Sequence, residues 1–278
     1  MNPMEILHRT PKTNCGECGH PTCLAFAAAV TRAGADINLC PYIDLQGMAV
    51  TPLSSKKDLE HLDEQVSEEQ DWALVKYLQE KVSKIDFGSI ASSVGASWNE
   101  HDHDVLSLRY LGQEVKLGKY EILLSNDKAV DPRDQILLYN YVHSCGGRKP
   151  DGTWIGMESL PNSISKIRTL ETYCEKKIAK LLSGNPAQLL TDLGVQIDGY
   201  EGPPELGSTA DASLIVPVLP MLPQYLLFWE EDTELGIEAK AKVLFDHNVL
   251  DFLDLESLVF SAERFAERLV QLEKNEQQ

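Results

Sequence analysis

Apolar residues recur at helical spacing in two stretches of the first third of this chain. Small apolar residues from Leu24 to Val30 predict a helix that starts at Cys23 and ends at Gly34. After Asp58, one long amphipathic helix or a pair of helices is predicted, because a capping pattern at Ser67 interrupts a single apolar face. The residues of that face are Leu59, Leu62, Val66, Val75, Leu78, Val82 and Ile85.

A helix with a strong start signal is predicted near the middle of the chain. Asp131 and Pro132 place a capping residue and a first-turn proline in their preferred positions. The run over 136–142 that follows is apolar on nearly all sides, so we expect this helix to be buried. Cys145 and the two glycines after it are expected to close the helix.

Further helices are predicted toward the C-terminal end. One extends from Ser163 to Leu182, and the Asn185-Pro186 pair separates it from a short helix over Ala187 to Leu193. A terminal helix begins at Asp254. The predicted inward positions are Ile164, Ile167, Leu170, Cys174, Ile178 and Leu181 in the first helix and Leu258, Ala262, Phe265 and Leu269 in the last.

Alternation of apolar and polar residues predicts the strands. Leu106, Leu108 and Tyr110, followed by Tyr120, Ile122 and Leu124, predict two strands of a hairpin. Residues 149–156 are expected to form a turn that presents Trp154. Three later strands are predicted over Ala212 to Leu219, Met221 to Trp229 and Ile237 to Phe245, the last with Ile237, Ala239, Ala241, Val243 and Phe245 on one face.

These elements predict the fold class and the domains. Strands and helices come in blocks, which indicates an α+β domain with a mainly antiparallel sheet and flanking helices. A small helical and loop module is expected to precede it. The predicted divisions are a module over 1–45, a linker and helix start over 46–66, and the α+β domain over 67–278.

Charge narrows the classes of partner. The 278 residues carry a formal net charge of -18, which disfavours nucleic acid and anionic membranes and favours a basic protein surface. The chain has no pattern of a secretory signal, and no apolar run long enough for a membrane helix. We therefore expect a cytoplasmic protein.

Four cysteines near the N-terminus are the strongest chemical signal. Cys15, Cys18, Cys23 and Cys40 are separated by two, four and sixteen residues. Thiolates at such gaps can converge on one soft metal centre. Disulfides and a structural Cys₄ zinc site are the alternatives, but the single short pair and the Cys40-Pro41 ending favour an iron–sulfur cluster.

The same stretch resembles a known module. The run from Pro11 to Ala27, with Cys40-Pro41-Tyr42, resembles the [4Fe–4S] module at the start of the large subunit of the corrinoid iron–sulfur protein of anaerobic acetyl-CoA metabolism. It is more loosely similar to the cluster module of membrane electron-transport complexes that oxidise ferredoxin. This resemblance implies that the four cysteines each hold one iron of a [4Fe–4S] cluster. It also implies a redox donor such as ferredoxin, and a corrinoid protein, as partners.

A second resemblance covers the rest of the chain. The stretch from about Val66 to Leu269 is similar to an uncharacterised family, a domain of unknown function that is often fused to this module in anaerobes. The segments that carry this likeness are Gly152 to Gly156, the long helix after it, and Ala239 to Asp246. It implies architecture and context rather than a reaction.

Other polar residues have weaker signals. The polar run consists of His101, Asp102, His103 and Asp104. These residues could bind a divalent metal or serve as acid and base, or they could form a solvated turn. Cys145 and Cys174 could meet as extra ligands or as a redox pair, or be small core residues. His20 could hydrogen-bond a cluster sulfur, or be an ordinary loop residue.

Three functions are compatible with these patterns. The main hypothesis is an accessory electron-transfer protein of anaerobic corrinoid or C1 metabolism. The second is an enzyme or cofactor-binding protein with a pocket for a tetrapyrrole or small substrate, in which Trp98, Trp154, His101 and His143 would be the residues of interest. The third is a maturation or scaffold protein whose cluster is structural.

Overall fold

The structure of the chain, a computed structural model, describes residues 3–32, 34–44, 56–124, 128–184, 186–203 and 209–276. It describes the backbone alone for residues 56–68 and for Pro3, Met4, Arg32, Asp102, His103, Pro186 and Glu276. Two compact units divide between Glu69 and Gln70. The predicted linker over 46–57 falls almost wholly outside the described residues, as do the predicted apolar side chains at 59, 62 and 66.

The N-terminal unit has a small core between two short helices, α1 (Pro3–Arg9) and α2 (Cys23–Arg32). Gly34 has a φ of +63°, and the N–H of Ala35 donates to the carbonyl of Ala29 at 3.1 Å. This left-handed ending confirms the predicted start and end of α2. The buried core of the unit consists of Ile6, Phe26, Ala27, Ile37 and Cys40.

A single helix, α3 (Lys56–Val82), follows. Of the two predicted alternatives, the long helix is correct, and the capping pattern at Ser67 begins no new helix. Strong helix formers such as Glu, Gln and Leu continue on both sides of Ser67, so the backbone ladder is not interrupted. Val75, Leu78 and Val82 are buried, as their spacing predicts.

The larger unit adds six helices among the described residues. The predicted helix at Asp131 is confirmed, because the Asp131 carboxylate accepts from the N–H of Arg133 at 2.9 Å. A short helix near Phe87 was not predicted. The helices are α4 (Phe87–Ile90), α5 (Pro132–His143), α6 (Ile164–Leu170), α7 (Lys176–Leu182), α8 (Pro186–Gln196) and α9 (Leu255–Glu276).

The strands form two four-stranded sheets, and every strand pair is antiparallel. The first sheet has the order β1-β2-β3-β4, and the second has the order β5-β8-β7-β6. The predicted α+β class with antiparallel sheets and flanking helices is thereby confirmed. The strands are β1 (Ser97–Asn99), β2 (Asp102–Tyr110), β3 (Gln113–Gly118), β4 (Ile122–Leu124), β5 (Trp154–Gly156), β6 (Ala212–Leu219), β7 (Leu222–Trp229) and β8 (Lys240–Asp246).

The prediction that the strand over 106–110 forms a hairpin with the strand over 120–124 is wrong. β2 pairs with β3 and not with the segment over 120–124, which contains β4 and pairs with β3. Leu111 and Gly112 have φ values of +46° and +79°, so a two-residue turn places Tyr110 opposite Gln113. Leucine seldom occupies the left-handed region, and this is why the turn has no signal in the sequence.

Two predictions for the second sheet also need correction. Residues 154–156 form the edge strand β5, which pairs with β8, and not a simple turn. β8 begins at Lys240, so Ile237 and Ala239 precede it. Ile237 is 56% exposed and pairs with Asp232 across a turn. The alternation before Lys240 therefore belongs to the turn rather than to the strand.

The helix predicted over 163–182 is interrupted by a π-helical segment (Glu171–Glu175) between α6 and α7. This segment buries Cys174 and Glu175, and the Glu175 carboxylate accepts from the N–H of Val243 at 3.1 Å. Burial raises the pKa of Glu175. Ile164 is 86% exposed, so the prediction that it faces inward is wrong.

The core of the larger unit is centred on α5 and α9. Leu137, Leu138, Tyr139, Tyr141 and Val142 are fully buried, as the run over 136–142 predicts. The Tyr141 hydroxyl donates to the carbonyl of Val94 at 2.8 Å and accepts from the N–H of Met221 at 3.0 Å. The four predicted inward residues of α9 are buried as well.

Replacement of Gly112 by alanine is expected to destabilise the larger unit strongly. A Cβ atom at this position would collide with the carbonyl oxygen of Gln196, and the φ of +79° would be strained. The matched control is Gly152→Ala, which has a φ of +81° but nothing within 4 Å of the new Cβ atom. In urea unfolding, Gly152→Ala should cost about 1 kcal/mol and Gly112→Ala about 3 kcal/mol or more. Equal losses would contradict the proposed collision.

Candidate metal centre

The loop between α1 and α2 turns sharply around its cysteines. Lys12, Asn14, Gly16 and Gly19 have φ values of +57°, +52°, +78° and +80°. The N–H of Gly19 donates to the carbonyl of Gly16 at 2.9 Å, which forms a tight turn around Cys18. Such left-handed residues turn successive N–H groups toward one side of the backbone, where they can bind an anion or a metal–sulfur group.

Cys23 lies at the N-terminus of α2. The Thr22 hydroxyl accepts from the N–H of Ala25 at 3.0 Å and caps the helix. The N–H of Cys23 donates to the side-chain oxygen of Asn14 at 2.9 Å, so this asparagine ties the loop to the helix start. The Cys23 side chain is therefore held at the positive end of the helix dipole.

The loop backbone stabilises the Cys23 thiolate. The N–H of Asn14 lowers the pKa of the Cys23 thiol, burial opposes the shift, and the Thr10 hydroxyl and the N–H groups of Lys12 and Thr13 add to the lowering. A thiolate is the form of cysteine that ligates a metal. The loop thus favours the ligating form of Cys23 before any metal binds.

The other three cysteines differ in exposure. Cys40 is buried in the small core, Cys18 is half-buried against it, and Cys15 is exposed. The Tyr42 hydroxyl donates to Glu17 at 2.9 Å, which joins the Cys40 segment to the Cys15–Cys18 loop. Glu17 raises the pKa of Tyr42, and the charges of Cys15 and Cys40 add to the increase, so both sulfurs lie in electrostatic range of this phenol.

These four residues have the donor chemistry that an iron–sulfur cluster needs. They offer four thiols. The N–H groups at 12–14 stabilise one of these thiols as a thiolate, and Phe26 and Ile37 belong to the apolar floor below the loop. His20 is half-buried, and its ring lies 5.7 Å from the ring of the buried Phe26. The structure thus places His20 against the floor of the site.

The polar run over 101–104 lies in the turn between β1 and β2 and at the start of β2. His101 is exposed, and its N–H donates to Asn99 at 2.9 Å. Asp104 forms an ion pair with Lys119 at 2.8 Å. The side chains of Asp102 and His103 lie outside the described residues. The solvated-turn alternative agrees with the positions of His101 and Asp104.

The two remaining cysteines lie in unlike surroundings. Cys174 is fully buried in the core, and burial raises the pKa of its thiol well above the usual value, so the core-residue alternative is confirmed for it. Cys145 is exposed after α5 and has a φ of +59°. Both thiols are free.

The residues proposed for a tetrapyrrole or substrate pocket are dispersed. Trp98 is on β1 in the first sheet, whereas Trp154 is on β5 in the second sheet, 5.3 Å from the ring of Tyr225. His143 is exposed at the end of α5, and His101 is in the β1–β2 turn. The structure does not bring these four residues together.

The two segments behind the second resemblance do meet in space. β5 and β8 are paired, and the loop before β5 is bound by Asp246 at the end of β8. One oxygen of the buried Asp246 carboxylate accepts from the N–H groups of Asp151 and Gly152 at 2.9 and 2.8 Å, and the other accepts from Asn248 at 2.9 Å. Sequence reasoning missed this clamp, although an aspartate that ends a strand was a possible signal.

His247 completes a small polar group beside the clamp. Its Nδ1 atom is 3.3 Å from Asp151 Oδ1, and one ligand atom each of Asp151, Asp246 and His247 lies within 4.8 Å of the others. The N–H of Thr153, more than His247, lowers the pKa of Asp151. Because Asp246 already accepts three N–H groups, its contacts are those of a structural clamp for the loop.

None of the helices in the described part of the chain is long and apolar enough to cross a bilayer.

Two family models match this chain. The model described as domain of unknown function DUF3786 matches residues 86–268, and the FeS model, which describes an Fe-S cluster, matches residues 11–42. Both matches confirm the resemblances drawn from the sequence. No solved structure matches the chain.

Several known proteins are similar in sequence to the N-terminal region of this chain. The large subunit of the corrinoid/iron-sulfur protein of Moorella thermoacetica is 52% identical over 40 residues, which are 14% of this chain and 9% of that protein. A subunit of an ion-translocating oxidoreductase complex from an Azoarcus species is 37% identical over 71 residues, 20% of this chain and 39% of that protein.

A third relative comes from Methanosarcina thermophila. It is the gamma 1 subunit of the acetyl-CoA decarbonylase/synthase complex, 45% identical over 40 residues, which are 14% of this chain and 8% of that protein. This chain therefore covers less than a tenth of the length of the corrinoid and decarbonylase relatives, and 39% of the oxidoreductase relative. The likeness establishes an iron–sulfur module similar to those of electron-transfer and corrinoid proteins.

Replacement of Asp246 by asparagine is expected to loosen the loop before β5. The amide NH₂ group that replaces one oxygen cannot accept, so at least one of the three N–H groups loses its partner. We expect a loss of about 2–4 kcal/mol in the free energy of unfolding, measured by urea titration. The matched control is Asp192→Asn on the exposed face of α8, which should change stability by about 0.5 kcal/mol or less. If both variants unfold at the same urea concentration, Asp246 is not a clamp.

Proposed function

Because this chain belongs to the DUF3786 family and carries an iron–sulfur module ahead of that domain, we propose that it is an accessory electron-transfer protein. In this proposal Cys15, Cys18, Cys23 and Cys40 hold one [4Fe–4S] cluster. The observation that carries the proposal is the Cys23 environment, where three backbone N–H groups and a hydroxyl stabilise a thiolate at a helix N-terminus.

When bound, the cluster supplies one-electron transfer at a potential that its surroundings set. The residues of this chain provide the surroundings. Cys18, Cys23 and Cys40 hold the site on the apolar floor, which excludes water from one side. The N–H groups at 12–14 offset negative charge near Cys23 and favour the reduced, more negative form.

The accessible side of the site suits a docking partner. Cys15 is the exposed thiol of the four, so a redox protein can approach on its side of the loop. The net charge of -18 favours a partner with a basic surface around its own redox centre. We propose a donor such as ferredoxin.

The relatives suggest the destination of the electron. Two of them are named for a corrinoid protein and for an acetyl-CoA complex, so we propose a corrinoid protein or a step of anaerobic C1 metabolism as acceptor. An anaerobic cytoplasm is the proposed location, because thiolate-bound clusters are sensitive to oxygen.

Anaerobic purification tests the cofactor and the ligands together. We expect about four irons and four sulfides per chain, and an electron paramagnetic resonance signal of a one-electron-reduced cluster after reduction. Cys18→Ser should lose most of the iron, since a hydroxyl is a poor ligand for it. The matched control is Cys145→Ser, an exposed cysteine outside the module that should keep the full iron content.

Three results would overturn parts of this proposal. Bound zinc in place of iron would remove the redox function altogether. A cluster that stays redox-inert over the physiological range would favour the structural role. A cluster too positive in potential to accept an electron from reduced ferredoxin would exclude that donor.

Asn14 is expected to determine how firmly the cluster is retained. Asn14→Ala removes the acceptor of the Cys23 N–H and places alanine at a φ of +52°. Loss of one hydrogen bond of this kind should speed cluster release to a chelator by about fivefold, followed by the visible absorbance. Asn14→Gly should release the cluster more slowly than Asn14→Ala, since glycine tolerates this backbone angle.

The control lies in the same unit. Asn38 is exposed, and its backbone and side-chain N–H groups donate to Asp36 within the same short turn, so Asn38→Ala should release the cluster at the wild-type rate. Wild-type retention in Asn14→Ala would show that the tie between Asn14 and Cys23 is not needed.

A further inference from the structure

A polar cavity in the larger unit lies between the β2–β3 turn and two helices. It has a volume of about 270 Å³, near the lower end of the range for small-ligand sites. Tyr110, Leu111 and Gln113 line it from the turn, and Asp134 lines it from α5. The α9 residues that line it are Arg264, Glu267, Arg268 and Gln271.

One wall of this cavity is a closed ion-pair network. Arg264 Nε and Nη2 donate to the two oxygens of Asp134 at 2.7 and 2.6 Å, and the buried Tyr110 hydroxyl donates to the same carboxylate at 2.6 Å. Arg264 Nη1 donates to Glu267 at 2.6 Å, and Lys177 is 3.6 Å from the other oxygen of Glu267. Each carboxylate in the wall therefore has a cationic partner.

Arg268, by contrast, is a cation of the wall that has no carboxylate partner among the described residues. Its Nη1 atom donates to the neutral side chain of Gln271 at 3.0 Å, and its Nε atom is buried without a hydrogen-bond partner. Among the described residues, no carboxylate lies within the 4.0 Å ion-pair distance of its guanidinium. Burial lowers the pKa of Arg268, which reflects a cation that is desolvated and uncompensated. In a protein of net charge -18, such a cation is unusual.

The charges at the cavity can be counted. The residues that line it contribute two positive charges, from Arg264 and Arg268, and two negative charges, from Asp134 and Glu267, so the lining as a whole is neutral. Arg264 donates to both carboxylates, which leaves Arg268 as the lining cation without an anionic partner among the described residues. A single anionic group would supply that partner. A dianion such as phosphate would face the two carboxylates with excess charge, whereas a carboxylate matches the planar guanidinium.

The turn that faces Arg268 is fixed in position. The N–H of Leu111 donates to the carbonyl of Val218 at 3.1 Å, and Arg109 donates to the carbonyl of Gly112 at 2.7 Å. Arg109 also donates twice to Asp198, at 2.8 Å each. Leu111 stays in a left-handed conformation at this place, and strained backbone of this kind persists where the surroundings hold it.

We propose that this cavity binds a small organic monocarboxylate, with the Arg268 guanidinium as the partner of its carboxylate. Arg264, held by Asp134 and Tyr110, is a positioning residue that keeps α9 in register with α5. Gln113 and Gln271 offer amide groups for the polar remainder of the ligand. This site belongs to the DUF3786 domain and does not depend on the cluster proposal, because all of its residues lie in the larger unit.

Isothermal titration calorimetry on the full chain, purified anaerobically and kept at constant ionic strength, tests the proposal. The probes are acetate, pyruvate, inorganic phosphate and the neutral analogue acetamide. We expect saturable binding of a monocarboxylate, and none of acetamide. Arg268→Gln should weaken that binding by about tenfold or more, because the charge-assisted pair is lost.

Two further variants keep the test decisive. Arg168→Gln, at an exposed arginine on α6, should bind like the wild type. Arg268→Lys keeps the charge but not the planar fork, so an intermediate affinity is expected, and this variant replaces Arg268→Gln if the latter does not fold by circular dichroism. The proposal is overturned if neither carboxylate binds, if both Arg268 variants bind like the wild type, or if phosphate binds more tightly than the carboxylates.

Discussion

Buried backbone N–H groups need acceptors, and much of the local geometry of this protein follows from how that need is met. At the end of β8, the Asp246 carboxylate accepts three N–H groups and fixes the loop that leads into β5. Val243 lies one residue before Leu244, which pairs with Gly156 of β5, and the N–H of Val243 donates to the Glu175 carboxylate. An unpartnered N–H group at either place would cost about 1–3 kcal/mol, which explains two buried carboxylates in an otherwise apolar region.

The same requirement is met differently in the N-terminal unit. There, the N–H groups at 12–14 lower the pKa of the Cys23 thiol, and the Asn14 side chain accepts from the backbone of Cys23. In the larger unit the acceptors are carboxylates of the chain, and the geometry is complete without a ligand. In the N-terminal loop the N–H groups favour a thiolate, whose negative charge a metal would share. This contrast is what makes the loop a candidate metal centre and the Asp246 clamp a structural feature.

Charge separates the two candidate sites as well. The cysteine site lies in a strongly acidic protein, so a partner with a basic surface is attracted to it over distances near the Debye length. The field at the cavity is local, because Arg268 has no anionic partner among the described residues and lies beside the paired Arg264 and Asp134. A small anion can therefore be favoured there although the protein as a whole repels anions.

Features that depend on interactions between neighbouring residues could be predicted from the sequence alone. The spacing of the four cysteines, the start of α2 at Cys23 and the cap at Asp131 depend on neighbours within a few residues, and each was predicted correctly as an element or a motif. The buried faces of α5 and α9 were also predicted, since helical periodicity depends on the local chain alone. The fold class followed from the order of these elements, while the ligand role of the cysteines stays a prediction.

Tertiary structure decided whatever depends on contacts between distant segments. The sequence could not assign β3 as the partner of β2, because the turn depends on contacts with residues far along the chain. The N–H of Leu111 donates to Val218, and Gly112 lies against the backbone of Gln196. The exposure of Ile164, the π-helical segment around Cys174 and the clamp at Asp246 have the same origin. An aspartate at the end of a strand is at most a partial signal for the clamp, and the Arg268 cavity has no local signature. Each combines residues about a hundred or more positions apart, whose proximity exists only in the folded protein.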